Sequence, residues 1–372
     1  MTATSVADIL SVSPATISSY EHGRQKPPIE VVERLASILN VTGDYFSTDI
    51  PAFSHDRIFW RSMNYATKGA RSRGKRRYEW LQEIVMYLSE NFDFPELNLP
   101  ACDVPVDFRK IDCEQIEEAA SACRDHWGLA SGPVPNLVRL AESKGILVSK
   151  GKLDAEGLDA FSQWSIIGRP IAFLGSDKAS AVRSRFDLAH EIGHLMLHRN
   201  VSDAVIASPK DHKLIEIQAH RFASAFLLPA KDFTRDLYAP TLDAFRLLKS
   251  RWKVSIGAMI KRCSDLGLID EAQERRLWIN MNRRGWKTHE PLDDTIEPEQ
   301  PSLLSQCLRM MIDEGFKTRE QILADLRISA HDVEELCGLE LGHLSPTSLR
   351  ALPRPRFNTG VDTEENILRF SA

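Results

Sequence analysis

Apolar positions recur at helical spacing over most of the chain, with a few short runs of strand type. Between Arg183 and His198, Leu188, Ile192 and Leu195 share one helical face with no proline inside, which predicts a helix. A loop containing Ser208 to Asp211 follows. A second amphipathic helix is predicted from about His212 to Leu228, closed by Pro229, with Ala219, Phe222, Ala223, Phe226 and Leu227 as its stripe. Near the start, Ser5–Leu10, Pro14–His22 and Ile29–Asn40 read as three short helices. Ser13 caps the second of these, Pro14 takes its first position and Gly23 stops it. In the third, Val32, Leu35, Ala36 and Leu39 form the buried stripe. Tyr78–Phe92, Asp112–Trp127, Pro135–Ser143, Ala244–Trp252 and Ile256–Leu266 carry the same period. The last segment, Leu303–Leu339, alternates helix, turn and helix. Strands are predicted at Gly145–Val148 and in a hairpin, Phe161–Ser165 with Ile171–Leu174, around Gly168 to Pro170. The expected fold class is therefore α+β and predominantly helical, with one small sheet.

Composition narrows the class without choosing a function. A chain of 372 residues with 43% hydrophobic and 27% charged residues can bury a sizeable core in two to three domains. The net charge of −5 gives no global nucleic-acid footprint, so a DNA contact has to come from a local patch. One basic run stands out: Lys68 to Arg77 holds six positive charges in ten residues and is read as a solvated helix face. No apolar run has the length of a membrane span, and no signal-peptide pattern opens the chain. Cys102, Cys113, Cys123, Cys263, Cys307 and Cys337 are scattered without a C-x-x-C pair, which points to reduced thiols in the cytoplasm. Phe94–Pro100 reads as an extended linker, residues 287–302 as a Pro- and acid-rich boundary, and the tail from Ser345 as poorly ordered.

The candidate chemistry lies in the first helix described. His190-Glu191-Ile192-Gly193-His194 sets two imidazoles four residues apart, so both can reach one metal ion, and Glu191 can take a proton from a water held there. Catalytic zinc wants a third protein ligand and one open position. Glu216, a carboxylate on the apolar side of the next helix, is the choice, because burying it is costly without a cation or partner. His198, Asp203, His212 and His220 compete for that place; His198 and His220 suit a supporting role better. Manganese is the alternative to zinc for a set of two histidines and one glutamate.

Taken together, Arg185-Phe-Asp-Leu-Ala-His-Glu-Ile-Gly-His-Leu-Met-Leu-His198 and the later Glu216-x-x-Ala-x-x-Phe-Ala-x-x-Phe-Leu-Leu-Pro229 resemble the ImmA/IrrE metallopeptidase family. The resemblance takes in Leu158 to Ser162 and the Arg183/Arg185 lead-in upstream, and Arg284-Gly-Trp286 and Glu290-Pro291 downstream. It covers roughly Asp112 to Pro291. It implies a zincin-like domain, zinc on His190, His194 and Glu216, Glu191 as general base, and cleavage of a DNA-binding repressor or antitoxin. Arg185, His198 and His220 are the candidates for stabilising the oxyanion. In zincin-like folds an extended peptide pairs with an edge strand, and the hairpin is where that edge is expected.

A second resemblance lies at the start. Ala7-x-x-Leu-x-Val-Ser-x-x-x-Ile-Ser-x-x-Glu-x-Gly23, with Gly43-Asp-Tyr-Phe46 after it, resembles the helix-turn-helix of Cro/C1 (XRE) repressors. By motif position Pro14, Ala15, Thr16, Ser18 and Ser19 would face DNA, helped by Arg24 and Lys26 near phosphates. The family's first helix is missing before Met1, which suggests a start further upstream. The implied order is a helix-turn-helix over 1–50, a basic helical connector over 51–104, the peptidase domain over 105–292, a helical module over 303–345 and a tail over 346–372. The implied partners are a protein substrate, DNA and a second copy of the chain, with no membrane. The competing class is an XRE-type transcriptional regulator whose zincin domain acts as a sensor. Around Val254-Ser255 a further helix-turn-helix shape reads as a structural cap, although Arg251, Lys253, Lys261 and Arg262 would also suit DNA.

Overall fold

The computed structural model describes residues 2–39, 41, 43–47, 59–60, 68–152, 160–165, 167–176, 180–199, 201 and 208–345. Asp203, the tail beyond Ser345 and most of the stretch 48–67 lie outside them. Helices dominate the described residues, and the sheet is small.

The N-terminal helices are Ala3–Leu10, Pro14–Glu21 and Ile29–Leu39. The Ser13 side chain accepts from Thr16 N at the head of the second, and Gly23 takes φ +65° just past its end. Val6, Ala7, Leu10 and Ile17 form their core. Among the described residues, contacts with the rest of the chain include the Arg76 guanidinium over the Tyr45 ring at 5.2 Å. Val41 bridges Ile328, and Trp80 Nε1 donates to Tyr45 Oη at 3.2 Å.

The sheet has four strands in the order β1-β3-β4-β2. They are β1 (Phe59–Trp60), β2 (Leu147–Gly151), β3 (Ala160–Trp164) and β4 (Pro170–Gly175). β3 and β4 form the expected antiparallel hairpin, and β2 pairs parallel with β4. Both faces of the sheet are covered, so the strands are apolar on both sides. Val148, Ala160, Ala172 and Leu174 join a core with the metal-motif helix, while Leu147, Phe161, Ile171 and Phe173 join another. β2 runs to Gly151, beyond the expected Val148. The hairpin does not leave a bare edge either. The outer side of β3 pairs antiparallel with β1, Phe59 opposite Ser162 and Trp60 opposite Phe161.

Three further stretches are tied into the interior. The basic run opens a single long helix, Lys68–Ser89, whose buried face (Tyr78, Leu81, Ile84, Val85, Leu88) packs in the second core. Within it Arg77 is not simply solvated: it donates to Glu335 at 2.9 Å. The C-terminal helices Leu303–Asp313, Arg319–Leu326 and Ala330–Cys337 close over the same core, so the acid-rich last helix has internal work. Glu334 accepts from Gly342 N and Leu344 N, and Glu335 from Lys152 N. Residues 287–302 are a strap held to the helices that carry Arg185 and Lys249. Glu290 and Asp293 each accept from the buried Lys249 ammonium at 2.7 Å, and Glu299 pairs with Arg185. Near Val254, Arg262 is fully buried on Glu117 and Leu228 O and is closed to DNA. All six cysteines are free.

Candidate metal centre

Two helices build the site. The metal-motif helix, Ala181–Leu197, is buried along nearly its whole length. The carboxylate helix, Pro209–Leu227, is longer at its start than its apolar stripe suggested. Ser208 caps it through Asp211 N and Pro209 takes its first turn, where a missing N–H costs nothing. The two helices are in tight contact at Gly193. A Cβ there would meet Ala219 O and Phe222 Cδ1 at 3.1 Å. Glycine at this position lets the backbones come together and brings Glu216 across to the histidines.

His190, His194 and Glu216 converge, with their donor atoms within 4.8 Å of one another. His190 Nε2 lies 3.3 Å from Glu216 Oε2, His194 Nε2 lies 3.3 Å from Glu216 Oε1, and the two imidazole nitrogens lie 3.0 Å apart. These separations suit a tetrahedral cation: bonds of about 2.0–2.1 Å place neighbouring ligand atoms about 3.3 Å apart. The histidines are buried, and Glu216 is 19% exposed, so the group opens to solvent on the carboxylate side. Burial pushes the Glu216 carboxyl up, but its contacts with His190 and His194 outweigh that and hold it far below the usual range. A carboxylate that stays ionised between two imidazoles is a donor set made for a divalent cation.

Glu191, fully buried, accepts from Ser162 Oγ at 2.6 Å, so β3 sets the orientation of the carboxylate beside the donors. Behind the donors, His194 Nδ1 lies 3.0 Å from His198 Nδ1, and His198 Nε2 lies 3.0 Å from Gln218 Oε1. Burial first, then the neighbouring His194, push the His198 imidazole down to about 3. His198 therefore stands behind His194, away from the open side. His220 packs on Phe186, with ring centroids 4.7 Å apart, and lies 6.4 Å from His190. His212 Nε2 lies 3.9 Å from Glu216 Oε1.

Of the oxyanion candidates, Arg185 is directed elsewhere: it is buried and donates to Val134 O and Glu299. Ser162 and Gln218 were missed as site residues. Ser162 was visible only as the end of a motif, and Gln218 carried no signal beyond lying two residues after Glu216. At the N-terminus, Pro14, Ala15, Arg24 and Lys26 are exposed, Thr16, Ser18 and Ser19 are half-buried, and Ile17 between them is core. Ser18 Oγ lies 3.4 Å from His22 Nδ1, and Thr16 Oγ1 2.8 Å from Ser13 Oγ, so part of this face is occupied by its own caps.

Two histidines one turn apart and a carboxylate from the next helix form a three-donor group of the kind that can hold a metal ion, on a helical α+β scaffold. Residues 141–264, which include every one of these groups, match the peptidase M78 family model, the IrrE N-terminal-like domain. Residues 1–46 match a helix-turn-helix family model, so the chain joins the two segments in that order. A comparison with curated proteins finds no match. A solved structure of a Mycobacterium tuberculosis transcriptional regulator is similar over 42% of this chain, at 20% identity and a TM-score of 0.31. That likeness spans 48% of the regulator, about half its length. No helix among the described residues is long and apolar enough to cross a membrane.

Proposed function

We propose that this chain is a zinc-dependent endopeptidase acting on a protein substrate, with an XRE-type repressor or antitoxin as the substrate class. The observation that carries the reading is the convergence of His190, His194 and Glu216, with the Glu191 carboxylate fixed by Ser162. His190, His194 and Glu216 would hold a cation there, which would supply Lewis-acid polarisation of the scissile carbonyl and lower the pKa of a water toward neutral. Glu191 takes the proton from the attacking water and passes it to the leaving amine, the two transfers a peptide hydrolysis needs. Ser162 keeps one carboxylate oxygen of Glu191 engaged and so fixes the plane of the group. His212, 3.9 Å from Glu216 Oε1, is our candidate for donating to the oxyanion.

The helix-turn-helix segment binds DNA in this reading, with Arg24 and Lys26 toward phosphates, and carries the peptidase to sites where a repressor sits. The protein works in the cytoplasm, as a dimer if its helix-turn-helix pairs as repressors do. The division at about residues 50, 104, 292 and 345 stays part of the proposal.

The test is metal content by elemental analysis of the wild type and Glu216→Ala, beside co-expression with helix-turn-helix repressors encoded nearby. About one zinc per chain, greatly reduced in Glu216→Ala, and a repressor cut only when Glu191 is intact establish the peptidase. Stoichiometric zinc with no cut under any condition would favour the sensor reading. Absence of metal from the wild type would remove the site assignment.

A further inference from the structure

The hydrogen-bond chain behind His194 determines which of its ring nitrogens carries a proton. The anchor is Gln218. Its Nε2 donates to two main-chain carbonyls, Phe108 O at 2.8 Å and Ile111 O at 3.3 Å. Turning the amide over would set an oxygen against both carbonyl oxygens, so the orientation is fixed. Oε1 then faces His198 Nε2 at 3.0 Å, and an amide oxygen only accepts, so His198 Nε2 carries a hydrogen. His198 is fully buried, where an imidazolium costs far more than the neutral ring, and its Nδ1 is left bare. The Nδ1 atoms of His198 and His194 face each other at 3.0 Å; one must donate, and only His194 can. In the neutral ring His194 Nε2 then keeps its lone pair, and that atom is the one lying 3.3 Å from Glu216 Oε1. The Phe108 ring stands edge-on to His198 with centroids 6.4 Å apart, which limits the rotation that could reverse the chain.

We propose that Gln218 and His198 are positioning residues that lock His194 in its Nδ1–H tautomer and so present Nε2 to the cation. The lock rests on the reading of His190, His194 and Glu216 as a metal site. It extends that site to a place outside the region matched by the peptidase family model, because Phe108 and Ile111 precede residue 141. Phe108 opens and Ile111 closes the short turn Phe108–Lys110, held by Asp107 through Arg109 N, and the helix Cys113–His126 follows under an Asp112 capping box. A carboxylate in place of Gln218 would lose both carbonyl contacts that fix the amide.

Two measurements test this on the full chain. Long-range proton–nitrogen NMR spectra of histidine-labelled, metal-free protein report the tautomer directly, with His194 assigned by its loss in His194→Asn. Competition with a chromophoric chelator reports zinc affinity. The expected result is Nδ1–H at His194 in the wild type, and zinc bound roughly 10- to 100-fold more weakly by His198→Leu and Gln218→Leu. His198→Asn, whose Oδ1 can take the place of Nδ1 as acceptor, should recover affinity to within a few-fold of wild type. A proton on Nε2 of His194 in the wild type, or unchanged zinc affinity in folded leucine variants, overturns the proposal. If the leucine variants do not fold, the wild-type spectrum still decides. A wild type that binds no zinc sinks the metal reading instead, and the spectrum separates the two failures.

Discussion

Gly193 offers the sharpest perturbation of the site that leaves every donor in place. In Gly193→Ala the new Cβ would lie 3.1 Å from Ala219 O and Phe222 Cδ1 and 3.2 Å from Ala219 Cα. Ordinary contact begins near 3.4 Å, and two of the three obstacles are main-chain atoms that cannot swing aside. The helices must part by about 0.3 Å, the shortfall in van der Waals distance. Two stability effects oppose each other: alanine favours the helix by about 1 kcal/mol, and overpacking costs about 1–3 kcal/mol. The net loss is then at most about 2 kcal/mol, a fall in Tm of only a few degrees for a chain of this size. The metal site is less forgiving, since bond lengths are held within about 0.2 Å and the donors sit on both helices. We therefore expect a loss of zinc affinity of about tenfold or more, with a Tm in chelator close to wild type. The assay is a zinc competition titration beside thermal unfolding of the metal-free protein. Wild-type zinc affinity in a folded Gly193→Ala protein would refute the argument that the interhelical spacing sets the site.

Other predictions test separate parts of the structure. Ser162→Ala should retain zinc but lower kcat on the repressor about tenfold, because Glu191 loses its 2.6 Å donor; zinc loss alongside would instead mean that the sheet holds the donors. Lys249→Met leaves Glu290 and Asp293 buried without their cation and should cost about 3–5 kcal/mol in urea unfolding at pH 7. Burial raises the Asp293 carboxyl, but the Lys249 ammonium and Glu290 N–H outweigh it and hold it below its ordinary value. Its contribution is thus present above the unfolded value near pH 4 and is lost as pH falls through the folded one. Urea midpoints should be flat from about pH 5 to 8, then drop in acid, and Lys249→Met should flatten that drop. Removing metal with a chelator should lower the Tm of the wild type and leave Glu216→Ala unmoved, since ligand binding stabilises by about 4 kcal/mol at a thousandfold excess over Kd. Arg24→Ala and Lys26→Ala should each weaken DNA binding across sequences and reduce the salt slope by about 1.

How much was legible follows from the range of the interactions concerned. The spacing of His190 and His194 and the choice of Glu216 needed only helical periodicity and the cost of burying a carboxylate, both local quantities. The N-terminal helices were legible for the same reason, with Ser13 and Pro14 marking a start that the coordinates place at Pro14. Gln218 and Ser162 were not legible as site residues. Their roles depend on partners 110 and 29 positions away, which no local pattern announces. The acid-rich stretches misled for a related reason. Glu290, Asp293, Glu299 and Glu334 look like solvent-facing charge along the chain, yet each meets a buried cation or main-chain N–H supplied by a distant or folded-back segment. The carboxylate helix was placed three residues late because its apolar stripe starts after its cap, although Ser208-Pro209 was the better sign of its beginning.

The pairing of Phe59–Trp60 with β3 bears on how the protein can be cut down for study. A fragment beginning at residue 68 would keep both helices of the metal centre but strip β1 from its neighbour, baring main-chain donors and acceptors at Phe161 and Ser162. Exposed strand backbone is a template for another chain, and such a fragment should associate edge to edge, with aggregates forming beside the very serine that orients Glu191. Solubility of trimmed versions is therefore a readout of whether that flank is covered, obtainable before any substrate is known.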